Sequence, residues 1–167
     1  MEFAKGQYVV YNGTEICRIG EKVLKNFDGV NESEYFSLFP NDSKSTYYVP
    51  ADKINAYVRP ILSKQQLLDI IDRIPSVQGE WIDDRNDRKT KFSEAVRNGD
   101  YERILPMMSG LYSEENKRAK TGKHLFLDDK KNFEWAKKLL HSEIAFSFGI
   151  TVEEAEKLIV QRISGKM

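Results

Sequence analysis

The sequence predicts an α+β protein, with a small β-barrel over residues 1–60 and an all-helical bundle over residues 61–167. Three observations carry that reading. Short runs rich in Tyr, Val, Ile and Phe, separated by turn residues, fill the first part of the chain. Near residue 63 the apolar period changes from strand-like to helical. The later helical runs carry recognisable capping residues at their ends.

In the first part, "QYVVY" (7–11) reads as a strand. "NG" (12–13) signals a two-residue hairpin turn, because a type I′ turn needs positive φ at both central positions. "TEICRIG" (14–20) alternates irregularly, with Ile16 and Ile19 as core candidates. "NFDGVNES" (26–33) is a polar loop, "EYFSLF" (34–39) a third strand and "PNDSK" (40–44) a turn. "STYYVP" (45–50) is a fourth strand and "AYVR" (56–59) a short fifth. Several short strands with tight turns predict a curved SH3- or Tudor-like barrel. Pro60 marks its boundary.

In the second part, Ser63 with Gln66 forms a capping box ahead of the apolar face Leu67, Leu68, Ile70, Ile71 and Ile74. "PSVQG" (75–79) breaks that helix. A charged helix follows over 83–99, which Gly99 can end. Asp100 caps the next, 101–119, where Pro106 is expected to kink or shorten the first turns. "KTGKHLFL" (120–127) is a loop. Asp128 or Asp129 caps a helix over 130–148 that Gly149 ends. Thr151 with Glu154 opens the last helix, 152–163.

Composition narrows the function. The chain has 167 residues, 40% of them hydrophobic, enough for one ordinary domain or two small ones. It carries 26 Lys and Arg against 26 Asp and Glu, a formal net charge of zero. Bulk charge therefore does not hold it to a polyanion, and any nucleic-acid contact must use a local patch. The single cysteine, Cys17, permits no intrachain disulfide and is compatible with a reducing compartment. No signal-peptide pattern opens the sequence, and no apolar run approaches the roughly 20 residues needed to span a bilayer. A cytoplasmic protein without a membrane partner is expected.

Most enzyme signatures are absent, which leaves an enzyme with an unfamiliar site only a remote reading. The sequence contains no G-x-x-x-x-G-K-[ST], G-x-G-x-x-G or H-E-x-x-H. His124 and His141 lie in different segments without a ligand cluster. Cys17 sits within a strand, read as a small buried hydrophobe. Asp83–Asp84 and Asp128–Asp129 stand at predicted helix starts, where negative charge complements the dipole. No enzyme activity, cofactor or metal is expected.

The segment "EWIDDRNDRKTKF" (80–92) admits two readings. Trp81 is placed at the start of a helix bearing Arg85, Arg88, Lys89 and Lys91, and residues 81, 85, 88 and 89 share a face by helical spacing. An aromatic beside clustered cations suits stacking on bases and neutralising phosphates. A buried Trp beneath an ordinary solvated face fits the same pattern. "KRAKTGK" (117–123) and Lys130–Lys131 are further basic stretches.

The order of these segments resembles the CarD/CdnL family of bacterial RNA polymerase-binding transcription regulators. "FAKGQYVVYNGTEICRI" (3–19) is similar to the family's opening, and "YFSL" and "YYVPADK" to its later strands. A Trp followed by Arg and Lys, a "GD" helix start (99–100) and "KKNFEWAKKLLHSEIAFSFGITVEEAEKLI" (130–159) follow in the family's order.

The resemblance implies a Tudor-like module over 1–60 that docks on the RNA polymerase β subunit, and a helical domain over 61–167 that contacts promoter DNA at the upstream edge of the bubble. Such a protein would stabilise the open complex and be nucleoid-associated through the polymerase. DNA binding is expected to be weak and largely sequence-independent. Carried over by position, Lys22, Leu24 and Tyr48 would face the polymerase; family members often carry Arg where Lys22 and Tyr48 stand. Trp81 takes the place of a wedge Trp, Arg88 and Lys89 of its basic partners, and Lys130 of a phosphate contact. Arg85 and Lys91 join them from the charge pattern. The stretch from Trp81 to Gly99 is about one helical turn longer than usual, and Asp83–Asp84 would repel phosphate. The alternative is a protein–protein adaptor, with a docking barrel and a partner-binding helical domain, that makes no DNA contact.

Overall fold

A computed structural model describes residues 2–13 and 15–165. Among them the protein is α+β, with a five-stranded antiparallel sheet and six α-helices. The chain divides into two compact units, Met1–Ile61 and Leu62–Met167.

The first unit holds the sheet, built from β1 (Tyr8–Tyr11), β2 (Glu15–Lys25), β3 (Ser33–Pro40), β4 (Tyr47–Pro50) and β5 (Val58–Pro60). Its order is β4-β3-β2-β1-β5. The expected barrel is not closed. β4 and β5 remain the two edges of an open sheet, joined in sequence by a 3-10 turn (Ala51–Lys53) and the short helix α1 (Ile54–Tyr57). The edges also explain two of the prolines. Pro50 and Pro60 lie in β4 and β5, where a missing N–H need not interrupt an interior ladder.

Asn12 and Gly13 both take positive φ, 52° and 67°. Tyr11 pairs with Glu15, however, so three residues separate the strands where the sequence predicted two. Thr14, read as the start of the second strand, lies outside the described residues. β2 runs five residues past its predicted end at Gly20. A bulge explains why alternation hid this extension: Ile19 pairs with Leu38 and Lys22 with Phe36, so β2 holds one extra residue there. Ser37 fastens the bulge by donating its hydroxyl proton to the Glu21 carbonyl at 2.9 Å.

Val9, Cys17, Ile19, Phe36, Leu38, Val49, Ile54 and Val58 form the core of this unit. Cys17 and Ile19 point inward two residues apart, whereas Ile16, one residue out of phase, is half-buried. Burial, ahead of Glu15 and Asp42, pushes the Cys17 thiol up to about 12.

The second unit comprises α2 (Lys64–Arg73), α3 (Arg85–Asn98), α4 (Tyr101–Ala119), α5 (Leu127–Phe148) and α6 (Val152–Ser164). The Ser63–Gln66 capping box is complete, and Asp84, Asp100 and Thr151 each accept a backbone N–H as N-caps. Gly99 and Gly149 close α3 and α5 in the left-handed conformation. α5 buries Asp129, Asn132, Phe133, Ala136, Leu139, Leu140, Glu143 and Ile144, one stripe at helical spacing. It packs against α2, α3, α4 and α6.

Polar groups on that stripe tie the neighbours down. Glu143, fully buried, accepts from the Leu62 N–H at 2.9 Å and the Tyr101 hydroxyl at 2.8 Å. Between α2 and α6, Arg162 forks onto Asp72 at 2.6 and 3.0 Å.

Pro106 does not shorten α4, which runs unbroken from Tyr101. The carbonyl that loses its partner there belongs to Glu102, an exposed residue in the first turn. The Pro106 carbonyl itself accepts the Glu80 N–H at 2.9 Å. The segment 77–82 therefore crosses α4. It does so against Gly110, where a Cβ would fall on the Glu80 carbonyl oxygen.

Candidate functional site

On the sheet, alternation separates the three residues expected to face a partner. Lys22 pairs with Phe36 and Leu24 with Glu34, so both project from the core side of the sheet, at its exposed far end. The Lys22 ammonium sits 5.2 Å from the centre of the Phe36 ring, and Leu24 is 62% exposed. Tyr48 pairs with Ser37 and projects from the opposite face. The sheet thus brings Lys22 and Leu24 together and sets Tyr48 apart.

Tyr48 belongs to an aromatic and cationic cluster that the sequence reading missed. Phe27 packs edge-on against Tyr35 at 4.9 Å and tilted against Tyr48 at 5.7 Å. Lys25 lies 5.3 Å from the Tyr48 ring centre, and on the same face Arg18 lies 5.1 Å from that of Phe39. A shallow hollow of about 500 Å³ runs between Arg18, Lys25, Phe39 and Tyr48, with Lys5 and Glu21 also lining it. The signal available in sequence was the period-2 spacing of Tyr35, Ser37 and Phe39, obscured because the bulge shifts β2 out of phase with them.

In the second unit, Trp81 precedes helix α3 rather than starting it, so the spacing argument from residue 81 does not hold. Arg88 corrects the sequence reading most sharply. It is 2% exposed and cannot reach a phosphate. Its Nε and Nη2 donate to the two carboxylate oxygens of Asp129, each at 2.8 Å. Its Nη1 donates to the Ile82 carbonyl at 2.8 Å and the Asp83 carbonyl at 3.4 Å. Its guanidinium carbon lies 4.2 Å from the Trp81 ring centre. The Asp129 hydrogen bonds raise the Arg88 pKa further above its ordinary value, so it stays charged. Arg88 thus grips the irregular segment carrying Trp81 and covers the indole. A signal for this lay in the sequence: residues 88, 92, 95 and 96 form one stripe, and Phe92, Ala95 and Val96 are buried with Arg88.

The other cations remain exposed, and several meet acids. Arg85 reaches Asp128 at 3.3 Å and Lys89 reaches the same carboxylate at 3.7 Å. Lys91 pairs with Asp87 one turn back at 3.3 Å. Lys130 is exposed in the first turn of α5. The acid pairs divide their duties. Asp84 caps α3 as expected, whereas Asp128 and Asp129 do not cap α5, whose N-cap is Phe126. They serve instead as partners for the cations of α3.

Phe126, which the sequence places in a loop, stands at the N-cap of α5. The guanidinium carbons of Arg85 and Arg118 lie 4.3 and 4.9 Å from its ring centre. Among the described residues no group of three or more His, Cys, Asp and Glu side chains is placed to hold a metal ion, and no helix is long and apolar enough to cross a membrane.

The first unit thus presents an open antiparallel sheet with an aromatic-cationic face, and a helical unit follows it in the chain. Residues 3–62 match the family of the CarD-like/TRCF RID domain, and the first unit is a CarD-like domain. No curated protein matches the chain.

Proposed function

We propose that this protein is a bacterial transcription regulator. It docks on RNA polymerase, at the β subunit, through the first unit and contacts promoter DNA at the upstream edge of the bubble through the second, stabilising the open complex. The match of residues 3–62 to the CarD-like/TRCF RID domain carries this reading, since that family is an RNA polymerase-interacting one. The open edge at β4 supports it, because an edge strand offers backbone groups for strand addition. Tyr48 lies on that edge, and Lys22 and Leu24 extend the surface from the other face. In the second unit, Trp81 with Arg85, Lys89, Lys91 and Lys130 forms the DNA-facing surface, and Arg88 holds Trp81 in place. The contact is weak and largely sequence-independent, and docking on polymerase supplies the effective concentration that makes it useful. The protein works without a cofactor or a catalytic step of its own, in the cytoplasm beside the nucleoid.

The test is binding of the full-length chain to the isolated β subunit. The combined Lys22→Glu and Leu24→Ala variant, and separately Tyr48→Ala, are expected to weaken binding without loss of fold. Undiminished affinity in both removes these residues from the interface. An adaptor reading draws on one observation, the neutralisation of Arg85 and Lys89 by Asp128. It predicts a polymerase-bound protein whose effect on promoters does not depend on Trp81.

A further inference from the structure

The C-terminal end of α4 carries a second charged surface, distinct from the start of α3. A hollow of about 640 Å³ opens there, lined by Lys117, Arg118, Lys123, His124 and Phe126 with Glu114 at its side. The run 117–123 holds Lys117, Arg118, Lys120 and Lys123 and no acidic residue, in a chain whose net charge is zero.

The backbone gathers these cations. The Lys123 N–H donates to the Arg118 carbonyl at 2.9 Å and the Gly122 N–H to the Ala119 carbonyl at 3.1 Å. Gly122 takes a φ of +72°, which turns the chain back toward the helix end. Arg118 is fixed from three sides: its Nε donates to Glu114 at 2.9 Å, its Nη1 to the His124 carbonyl at 3.3 Å, and its guanidinium lies against Phe126. The one acid at the hollow is thereby engaged by Arg118.

We propose that this hollow is a second nucleic-acid contact, taking backbone phosphates of the duplex on Lys117 and Lys123. The inference rests on the reading of the second unit as DNA-facing. Charge complementarity favours a polyanion. The ring contacts of α3 favour one that is continuous with the Trp81 surface: Arg85 lies against Phe126 while Arg88, three residues on, lies against Trp81. A duplex carries a charge about every 1.7 Å of its axis, so its phosphates are spaced closely enough to meet cations at both places.

The experiment is a salt titration of binding between the full-length protein and a labelled forked promoter duplex. It compares wild type, the double variant Lys117→Gln/Lys123→Gln, and Trp81→Ala, with poly-glutamate as competitor. The double variant should lower the slope of log affinity against log salt by about 2, at roughly 0.9 per phosphate contact. Trp81→Ala should lower affinity with the slope unchanged. A wild-type slope and affinity in the double variant, beside salt-dependent wild-type binding, would overturn the hollow alone and leave its lysines as compensation for the helix dipole. Absence of salt-dependent binding by wild type would overturn the DNA-facing reading and the hollow with it. Poly-glutamate competing as well as duplex at equal charge would overturn the assignment to nucleic acid.

Discussion

The start of α3 and the end of α4 carry the same kinds of side chain and put them to different uses. At the start of α3, Arg85, Arg88, Lys89 and Lys91 all meet acids, and Arg88 is withdrawn from solvent altogether. At the end of α4, Arg118 meets an acid, while Lys117, Lys120 and Lys123 stand exposed in a run without one. A charge run in sequence therefore reports neither availability nor role. What decides is whether a carboxylate meets each cation, and Asp128 and Asp129 supply one to Arg85, Arg88 and Lys89 from the first turn of α5.

The largest expected effect comes from breaking the buried half of this contrast. Asp129→Ala leaves the Arg88 guanidinium without its carboxylate at 2% exposure, and such a loss costs about 3–5 kcal/mol. Denaturant unfolding should show that loss of stability. Near-ultraviolet circular dichroism of the folded protein should also change, as Trp81 loses its fixed neighbour.

Gly110→Ala follows. Its Cβ would fall on the Glu80 carbonyl and push the 77–82 segment off α4. Overpacking of this kind costs about 1–3 kcal/mol. The mobility of Trp81, read as indole quenching by acrylamide in a Trp135→Phe background, should rise.

The third effect falls on function more than on stability. Asp128→Asn releases Arg85 and Lys89, which are exposed, so unfolding should move by less than about 1 kcal/mol. Affinity for duplex and its salt slope should both increase, which would make the start of α3 behave like the end of α4. A variant with unchanged slope would show that these two cations face away from the nucleic acid.

The smallest is a pH effect away from both regions. Burial, ahead of its charged neighbours, holds the half-buried His141 below the ordinary imidazole value of 6.5. As pH falls, the unfolded chain takes up that proton first. The contribution of His141 is therefore full above about 6.5 and is lost as pH falls below it. His141→Gln should flatten stability across that window, which thermal unfolding at a series of pH values would show.

Much of the fold was legible because local signals dominate it. Ser63 with Gln66, Asp84, Asp100 and Thr151 announce helix starts through side-chain hydrogen bonds that close within three residues, and Gly99 and Gly149 announce stops through positive φ. What escaped depends on partners far along the chain. The extension of β2 was hidden because the bulge before Lys22 breaks the period on which strand recognition rests. The open sheet in place of a closed barrel depends on whether β4 and β5 pair, which short-range pattern does not encode. The inward turn of Arg88 depends on Asp129, 41 residues away, although the stripe it shares with Phe92, Ala95 and Val96 was a visible clue. The division of Lys22 and Leu24 from Tyr48 follows from strand register, and a register one residue different would reverse it.

Docking through the first unit and action on promoter DNA through the second, as proposed above, are separable in open-complex lifetime on a single promoter, measured with wild type, a Lys22→Glu/Leu24→Ala/Tyr48→Ala docking variant and Trp81→Ala. The docking variant is expected to abolish the effect. Trp81→Ala, while still binding polymerase, should shorten the lifetime roughly tenfold or more, since a base–aromatic stack is worth about 1–3 kcal/mol. A Trp81→Ala protein that sustains the wild-type lifetime beside an inactive docking variant would rule out a DNA role for Trp81, leaving it as packing for Arg88 in a protein that works through polymerase alone.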